Sequence, residues 1–179
     1  MAFDRRQAIQ NHAAQLYGYA VSLCADPTLA EDLAQETITK AIAAHRIPQD
    51  QAAFRAWLFR VLRNTFIDHT RRTGRLVALD SDDMSDGADT VDRDVPDNFE
   101  DGLVNTLTVR FALEKLKPGQ REIIGLIDIA GFSYGEAAAL LEVPAGTIMS
   151  RLSRARKNLA DVIVDTNIVP MPRRIGRSS

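Results

Sequence analysis

Arg151, Arg154, Arg156 and Lys157 fall within one seven-residue stretch, and no acidic residue lies between Ala145 and Leu159. Guanidinium groups donate paired hydrogen bonds to guanine O6 and N7, and cations of either kind neutralise phosphates. The chemistry open to this set is therefore recognition of a polyanion. Ser150 and Ser153 are interleaved with the cations and suit either a base edge or a phosphate. Thr147 precedes them, at a helix start where free N–H groups favour an anion. By this reading Arg151 and Arg154 reach base edges, while Arg156 and Lys157 serve the nucleic-acid backbone.

Such a set needs a rigid carrier. Residues 131–159, GFSYGEAAALLEVPAGTIMSRLSRARKNL, have the pattern of two helices crossed over a tight turn. Ser133 and Glu136 have the spacing of a reciprocal capping box that opens the first helix. Ala138 falls where the first helix must touch the second, Glu142 at the turn, and Ile148 where the second packs back. Pro144 suits the first turn of the second helix. A helix so placed, basic and hydroxyl-bearing at its leading end, has the form that enters a DNA major groove. An ordinary αα-hairpin with a solvated basic face has the same pattern, so this segment alone leaves both readings open.

The rest of the chain bounds what that module is attached to. Its 179 residues suffice for one medium domain or two small ones. No run approaches the roughly 18 apolar residues of a membrane helix, and the start, MAFDRRQAIQNH, lacks the apolar core of a signal peptide. The single cysteine, Cys24, excludes an internal disulfide and fits a reducing cytoplasm; beside Val21 and Leu23 it reads as a core residue. A cytoplasmic protein without membrane insertion is expected.

A net charge of −2 argues against a nucleic-acid partner only as an average. Residues 76–105 hold ten acidic residues against Arg93 alone, and without them the chain has 21 basic and 14 acidic residues. The stretch has no sustained apolar period and is rich in Asp, Gly and Ser, so it is expected to be an extended, flexible linker between two mildly basic blocks.

Both blocks read as helical. Ile9, Ala13, Leu16, Ala20 and Leu23 give one amphipathic face, stopped at Asp26-Pro27; a second helix runs from about Leu29 to His45; a third spans about Ala52 to Arg72. In the third, Phe54, Trp57, Leu58, Val61, Leu62 and Phe66 mark the core face. After the linker, a helix with Leu107, Phe111, Leu113 and Leu116 ends at Lys117-Pro118-Gly119, and Gln120 to Ile129 makes the next, stopped by Gly131. The fold class expected is all-α, two small helical domains held apart by an acidic linker. The domains span residues 5–75 and 106–165, with the linker over 76–105 and a loose tail over 166–179.

No catalytic or metal site is expected. His12, His45 and His69 lack partners at ligand spacing, and no Gly-rich phosphate loop ends in Gly-Lys-Ser/Thr. Glu122 and Asp128 lie in the C-terminal block with no nearby base to complete a catalytic pair.

Three segments in order resemble one family, the extracytoplasmic-function (ECF) sigma factors, small bacterial initiation factors that lend promoter recognition to RNA polymerase. DPTLAEDLAQETITKAI (26–42) is similar to the family's core-binding helix, FRAWLFRVLRNTFIDHTRR (54–72) to the helix that meets the −10 element, and residues 131–159 to the −35 reader. The resemblance covers nearly everything but the tail, as a region 2-like and a region 4-like domain. Two positions depart from the family: Glu142 stands where glycine is usual at the turn, and Met149 where a Lys or Arg is common.

The resemblance implies a sigma factor that binds core RNA polymerase and reads promoter DNA at −35 and −10. It also implies an anti-sigma factor as partner, with no enzymatic activity, cofactor or small-molecule substrate. Thr147, Met149, Ser150, Arg151, Ser153, Arg154, Arg156 and Lys157 would face −35. At −10 the loop His45–Ala53 would supply a pocket for an extruded base, flanked by Asn64, Asp68, Arg71 and Arg72, with Arg60 and Arg63 adding charge. Asp32, Gln35 and Glu36, three and four residues apart and so on one helix face, would press on a basic coiled coil of the polymerase. The linker would either occupy the polymerase channel or serve as a soluble tether. A sigma mimic that sequesters an anti-sigma factor and a plain helix-turn-helix regulator are the competing readings.

Overall fold

The computed structural model describes residues 3–74 and 110–166. The acidic strip and the tail beyond Thr166, for which extended and loose conformations are expected, lie outside the described residues. Within them all regular structure is helical.

Three helices build the N-terminal domain, and each begins on an aspartate. Asp4 accepts hydrogen bonds from the N–H groups of Arg6 and Gln7 at the head of α1 (Arg5–Cys24). Asp26 accepts from Thr28 and Leu29 at the head of α2 (Pro27–Ala43), and Asp50 from Ala53 at the head of α3 (Gln51–Arg72). These caps satisfy donors that the helix itself cannot. Asp26-Pro27 therefore starts α2 as well as ending α1. The expected start at Leu29 is two residues late because proline, with no N–H and a fixed φ, fits the first helical position. Leu16 and Leu23 of α1, Leu33 of α2, and Phe54, Leu58 and Leu62 of α3 are sealed from solvent in the shared core.

The C-terminal domain begins with the helical turn 110–115 (α4), whose Ala112 and Leu113 are buried. It continues with α5 (Pro118–Ile124), a π-helical turn over Gly125–Ile129, α6 (Tyr134–Leu141) and α7 (Ala145–Thr166). The single helix expected from Gln120 to Ile129 is thus α-helical and then π-helical: the Ala130 N–H reaches back five residues to the Gly125 carbonyl at 2.8 Å. Gly131, at φ 73°, then turns the chain in a conformation that side chains resist.

Ser133 and Glu136 form the reciprocal box that the spacing predicts, at 3.3 Å from the Glu136 N–H to Ser133 Oγ and 2.8 Å from the Ser133 N–H to Glu136 Oε2. Glu142 sits at φ 58° and ψ 39°, left-handed without glycine's freedom, a strain of about 1 kcal/mol. Pro144 lies one residue outside α7 rather than in its first turn; its carbonyl accepts from Thr147 and Ile148.

The two domains are packed on each other, which corrects the expectation of modules held apart. α1 lies against α5 and the π turn, and α3 touches α6. One apolar cluster runs from Leu16 and Phe59 through to Phe132 and Leu152. Gly18 and Gly125 permit this closeness. A Cβ on Gly18 would stand 2.6 Å from Ile129 Cγ2, and one on Gly125 would stand 1.9 Å from Ser22 Oγ.

Candidate nucleic-acid and polymerase interfaces

α7 separates an apolar stripe from a polar one. Ile148, Leu152 and Ala155 are buried against the domain, at the three- and four-residue spacing of one helix face. Met149, Ser150, Ser153 and Lys157 are exposed, with Met149 56% open to solvent. Thr147, Arg151 and Arg154 are half-buried at the margins; Arg154 Nε donates to the Ser150 carbonyl at 3.3 Å, and Ser150 Oγ to that of Thr147 at 3.1 Å. The base-reading candidates thus share one open face.

Arg156 is turned aside. Its Nε lies 3.2 Å from Asp128 Oδ2 in a two-point pair, and that carboxylate holds the guanidinium still further toward its charged form. Asp128 thereby braces the recognition helix against the π turn.

α2 presents a carboxylate and amide face. Asp32 and Gln35 are exposed and Glu36 half-buried, while Leu33 points into the core. Gln35 Nε2 donates to Glu31 at 3.3 Å, and Lys40 pairs with Glu36 at 2.8 Å, four residues on. The three predicted polymerase-facing residues therefore share a solvent-facing surface. Cys24, at the end of α1, donates its thiol to the Ala20 and Asp26 carbonyls; burial pushes its pKa up, which suits an inert residue.

α3 is divided. Asn64, Asp68, Arg71 and Arg72 of its C-terminal half are exposed, with Arg72 Nε donating to the Asp68 carbonyl at 3.2 Å. The loop before α3 leaves His45, Arg46 and Gln49 in solvent; Gln51 to Ala53, assigned to the same loop, form the first turn of α3. The arginines of its N-terminal half are engaged by the other domain. Arg60 Nη2 donates to the Ala139 carbonyl at 3.2 Å, and Arg63 Nε to Glu122 Oε1 at 2.7 Å. Arg55, which the sequence reading passed over, donates to the Ala130 carbonyl and lies over the Phe132 ring, 3.9 Å from its centroid.

Glu122 is 2% exposed, and the Tyr19 hydroxyl approaches the same oxygen at a long 3.5 Å. Burial first, and the carboxylate second, raise the Tyr19 pKa well above its usual 10, so the phenol stays a donor. Glu122 is thus the acceptor of a structural ion pair across the domain boundary. Phe59, sealed at this boundary, meets Tyr19 at 5.6 Å and Phe132 edge-on at 5.0 Å. A sign of this was present in the sequence: Arg63 follows Phe59 by four and precedes Phe66 by three, and Glu122 precedes Leu126 by four, each charge on an apolar face.

Among the described residues, no group of three or more His, Cys, Asp or Glu side chains is placed to hold a metal ion, and no helix is long and apolar enough to cross a membrane.

A three-helix domain with carboxylates on the outer face of α2, followed by a helix-turn-helix with a basic outer face, is an architecture suited to a bipartite DNA-binding protein. Residues 8–76 match the family model of sigma-70 region 2, and residues 106–159 that of sigma-70 region 4. The chain is 34% identical over 149 residues to the ECF RNA polymerase sigma factor EcfG of Rhodopseudomonas palustris, covering 83% of this chain and 78% of that protein. It is 32% identical over 157 residues to the ECF RNA polymerase sigma factor SigE of Mycolicibacterium smegmatis, covering 88% of this chain but only 60% of SigE. Among solved structures it is similar to the sigma factor RpoE from Bartonella quintana, co-crystallised with the anti-sigma factor NepR. The TM-score there is 0.66 at 34% identity, over 89% of this chain and 96% of that one. The chain belongs to the ECF sigma factors, initiation factors that bind core RNA polymerase and promoter DNA through regions 2 and 4.

Proposed function

We propose that this chain directs promoter-specific initiation in the cytoplasm with a division of labour among three helices, and carries no catalytic chemistry of its own. α7 reads the −35 element, with Ser150 and Arg154 on base edges, Arg151, Ser153 and Met149 beside them, and Thr147, Arg156 and Lys157 on the backbone. α3 and the loop before it take the −10 strand through Asn64, Asp68, Arg71 and Arg72, joined by Arg60 and Arg63. α2 docks on polymerase through Asp32, Gln35 and Glu36. An anti-sigma factor holds the protein inactive, as suggested by the inhibitor bound to the similar RpoE structure.

The observation that carries this reading is the exposed row Ser150, Ser153 and Lys157, with half-buried Arg154 beside it, opposite the buried Ile148, Leu152 and Ala155. A helix serving only as scaffold has no need of a leading stretch, residues 145–159, that carries cations and no carboxylate. Run-off transcription with core polymerase tests it. A product that depends on this chain, and disappears with Asp32→Arg/Glu36→Arg or with Ser150→Ala/Arg154→Ala, is the expected result. No product from any genomic template overturns it.

A further inference from the structure

We propose that Met149 and Ser153 form a thymine-reading pair on α7. The Met149 thioether packs on the 5-methyl group of the base, and the Ser153 hydroxyl donates to its O4. The inference rests on the assignment of α7 to the −35 element and names the base chemistry of one part of that face.

Outside the seam where the two domains pack, the outward side of α7 divides into two rows at helical spacing. Ser150, Arg154 and Lys157, four and three residues apart, make one; Met149, Ser153 and Arg156, equally spaced, make the other. Their chemistry differs. The first row ends in two cations and suits guanine O6 and N7 or phosphate oxygens. In the second, Met149 has no charge and Ser153 a hydroxyl. The charge of Arg156 is countered by Asp128, with Nε 3.2 Å from Oδ2 and Nη2 2.5 Å from Oδ1. A nearly neutral strip thus runs beside a cationic one on the same helix.

Met149 is the member of that strip whose chemistry picks out a base. It is 56% exposed and stands fifth in a helix that begins at Ala145, at the leading end that reaches base edges. A single exposed apolar side chain is ordinary on a protein surface. This one stands among hydrogen-bonding groups at the front of a recognition helix, where a groove covers it. The apolar group that the major groove displays is the thymine 5-methyl. Beside that methyl, thymine presents O4, an acceptor; beside Met149, one turn on, α7 presents the Ser153 hydroxyl. Cytosine offers no methyl group at that edge. An unbranched thioether with three rotatable bonds adapts its position to the methyl without disturbing the helix.

The test uses the full chain bound to core polymerase and a promoter duplex from which it initiates. Each thymine of the −35 segment, on either strand, is replaced in turn by deoxyuridine, which removes the methyl and keeps O4. Competition binding is expected to show one thymine whose replacement weakens binding about fourfold, the effect of burying one methyl-sized group. In Met149→Ala the same replacement is expected to have no effect. Ser153→Ala is expected to bind both duplexes more weakly while keeping the fourfold ratio between them. Both side chains are exposed, so thermal midpoints of the two variants are expected to stay with the parent's.

A parent chain indifferent to every thymine-to-deoxyuridine replacement overturns the pair. So does a methyl effect that survives Met149→Ala, or undiminished binding by Ser153→Ala. Arg154→Ala separates this inference from the wider reading of α7. If Arg154→Ala weakens binding and no methyl effect is seen, α7 still reads −35 and the thymine pair alone falls. If neither Arg154→Ala nor any replacement alters binding, both fall together.

Discussion

α7 and α3, the two helices assigned to DNA, are built in opposite ways. α7 packs one stripe, Ile148, Leu152 and Ala155, against its own domain and leaves Met149, Ser150, Ser153 and Lys157 exposed. α3 packs on two sides. Phe54, Leu58, Leu62 and Phe66 face the N-terminal core, while Arg55, Phe59 and Arg63 meet the C-terminal domain; toward the end of the helix Asn64, Asp68, Arg71 and Arg72 are exposed. Of the residues proposed for −10, Arg60 and Arg63 are engaged by the other domain, whereas most of those proposed for −35 lie on a face the other domain does not cover. Arginines along α3 thus differ in standing: oxygens of the other domain reach Arg55, Arg60 and Arg63, while Arg71 and Arg72 are exposed.

The hardest test of this contrast is Glu122→Ala. Removing one member of a buried pair leaves the other charge uncompensated, at about 3–5 kcal/mol. Here the protein can escape that penalty by opening the seam and hydrating Arg63. Urea unfolding followed by circular dichroism is therefore expected to change from one cooperative transition to two, one for each domain. A single transition at unchanged midpoint would show that the two domains were never coupled through Glu122.

Next in size are two changes that act on opposite sides of the contrast. Gly125→Ala forces a methyl group into Ser22 Oγ and is expected to weaken the closed state by about 1–3 kcal/mol, as overpacking does. Ser22→Gly in the same chain should recover part of it, because it removes the nearest colliding atoms and leaves Tyr19 Cδ2 at 2.9 Å. Arg154→Ala, by contrast, should leave the thermal midpoint nearly unchanged, since the hydrogen bond Arg154 makes is to the Ser150 carbonyl of its own helix, one turn back. Its effect belongs to DNA: about 1–3 kcal/mol of discrimination at one −35 base pair, measured by competition between matched and substituted duplexes. Equal losses against every substituted duplex would reassign Arg154 to a phosphate.

The contrast between α7 and α3 also marks how far the sequence could be read. Helix identity was legible because it is local: aspartates at 4, 26 and 50 cap, and Ser133 with Glu136 forms a box whatever the rest of the chain does. The faces of α7 and α2 were legible for the same reason, since three- and four-residue spacing sorts inward Leu33, Ile148 and Leu152 from outward Asp32, Ser150 and Lys157. The seam was not, because Arg63 meets Glu122 across 59 residues of chain and no local period encodes that distance. The acidic strip, which promised separation by its charge, says nothing about whether the blocks it joins attract each other. The π turn escaped for a subtler reason. One extra residue in a helical turn leaves the composition of GLIDI helical while rotating everything after it, including the carbonyl of Ala130 that Arg55 takes.

The smallest effect concerns the hinge between seam and reading face. Ser133 caps α6, and Ser133→Ala should destabilise the C-terminal domain by about 1 kcal/mol. Its partner Glu136 has its pKa lowered, first by the Ser133 backbone N–H, then by the Ser133 hydroxyl and by Arg55 across the seam. A carboxylate with a depressed folded pKa stabilises fully above its unfolded value, about 4.3, and its contribution disappears as pH falls through the lower folded value. Thermal midpoints measured from pH 6 down to pH 3 should therefore fall more steeply for the parent chain than for Glu136→Gln, the two converging at the acid end. Because the Glu136 side chain is 42% exposed, the difference should be small and should shrink in high salt. Parallel curves across that range would mean that the box acts through geometry alone. The charge shared between Glu136 and Arg55 would then play no part in holding the −35 reader against α3.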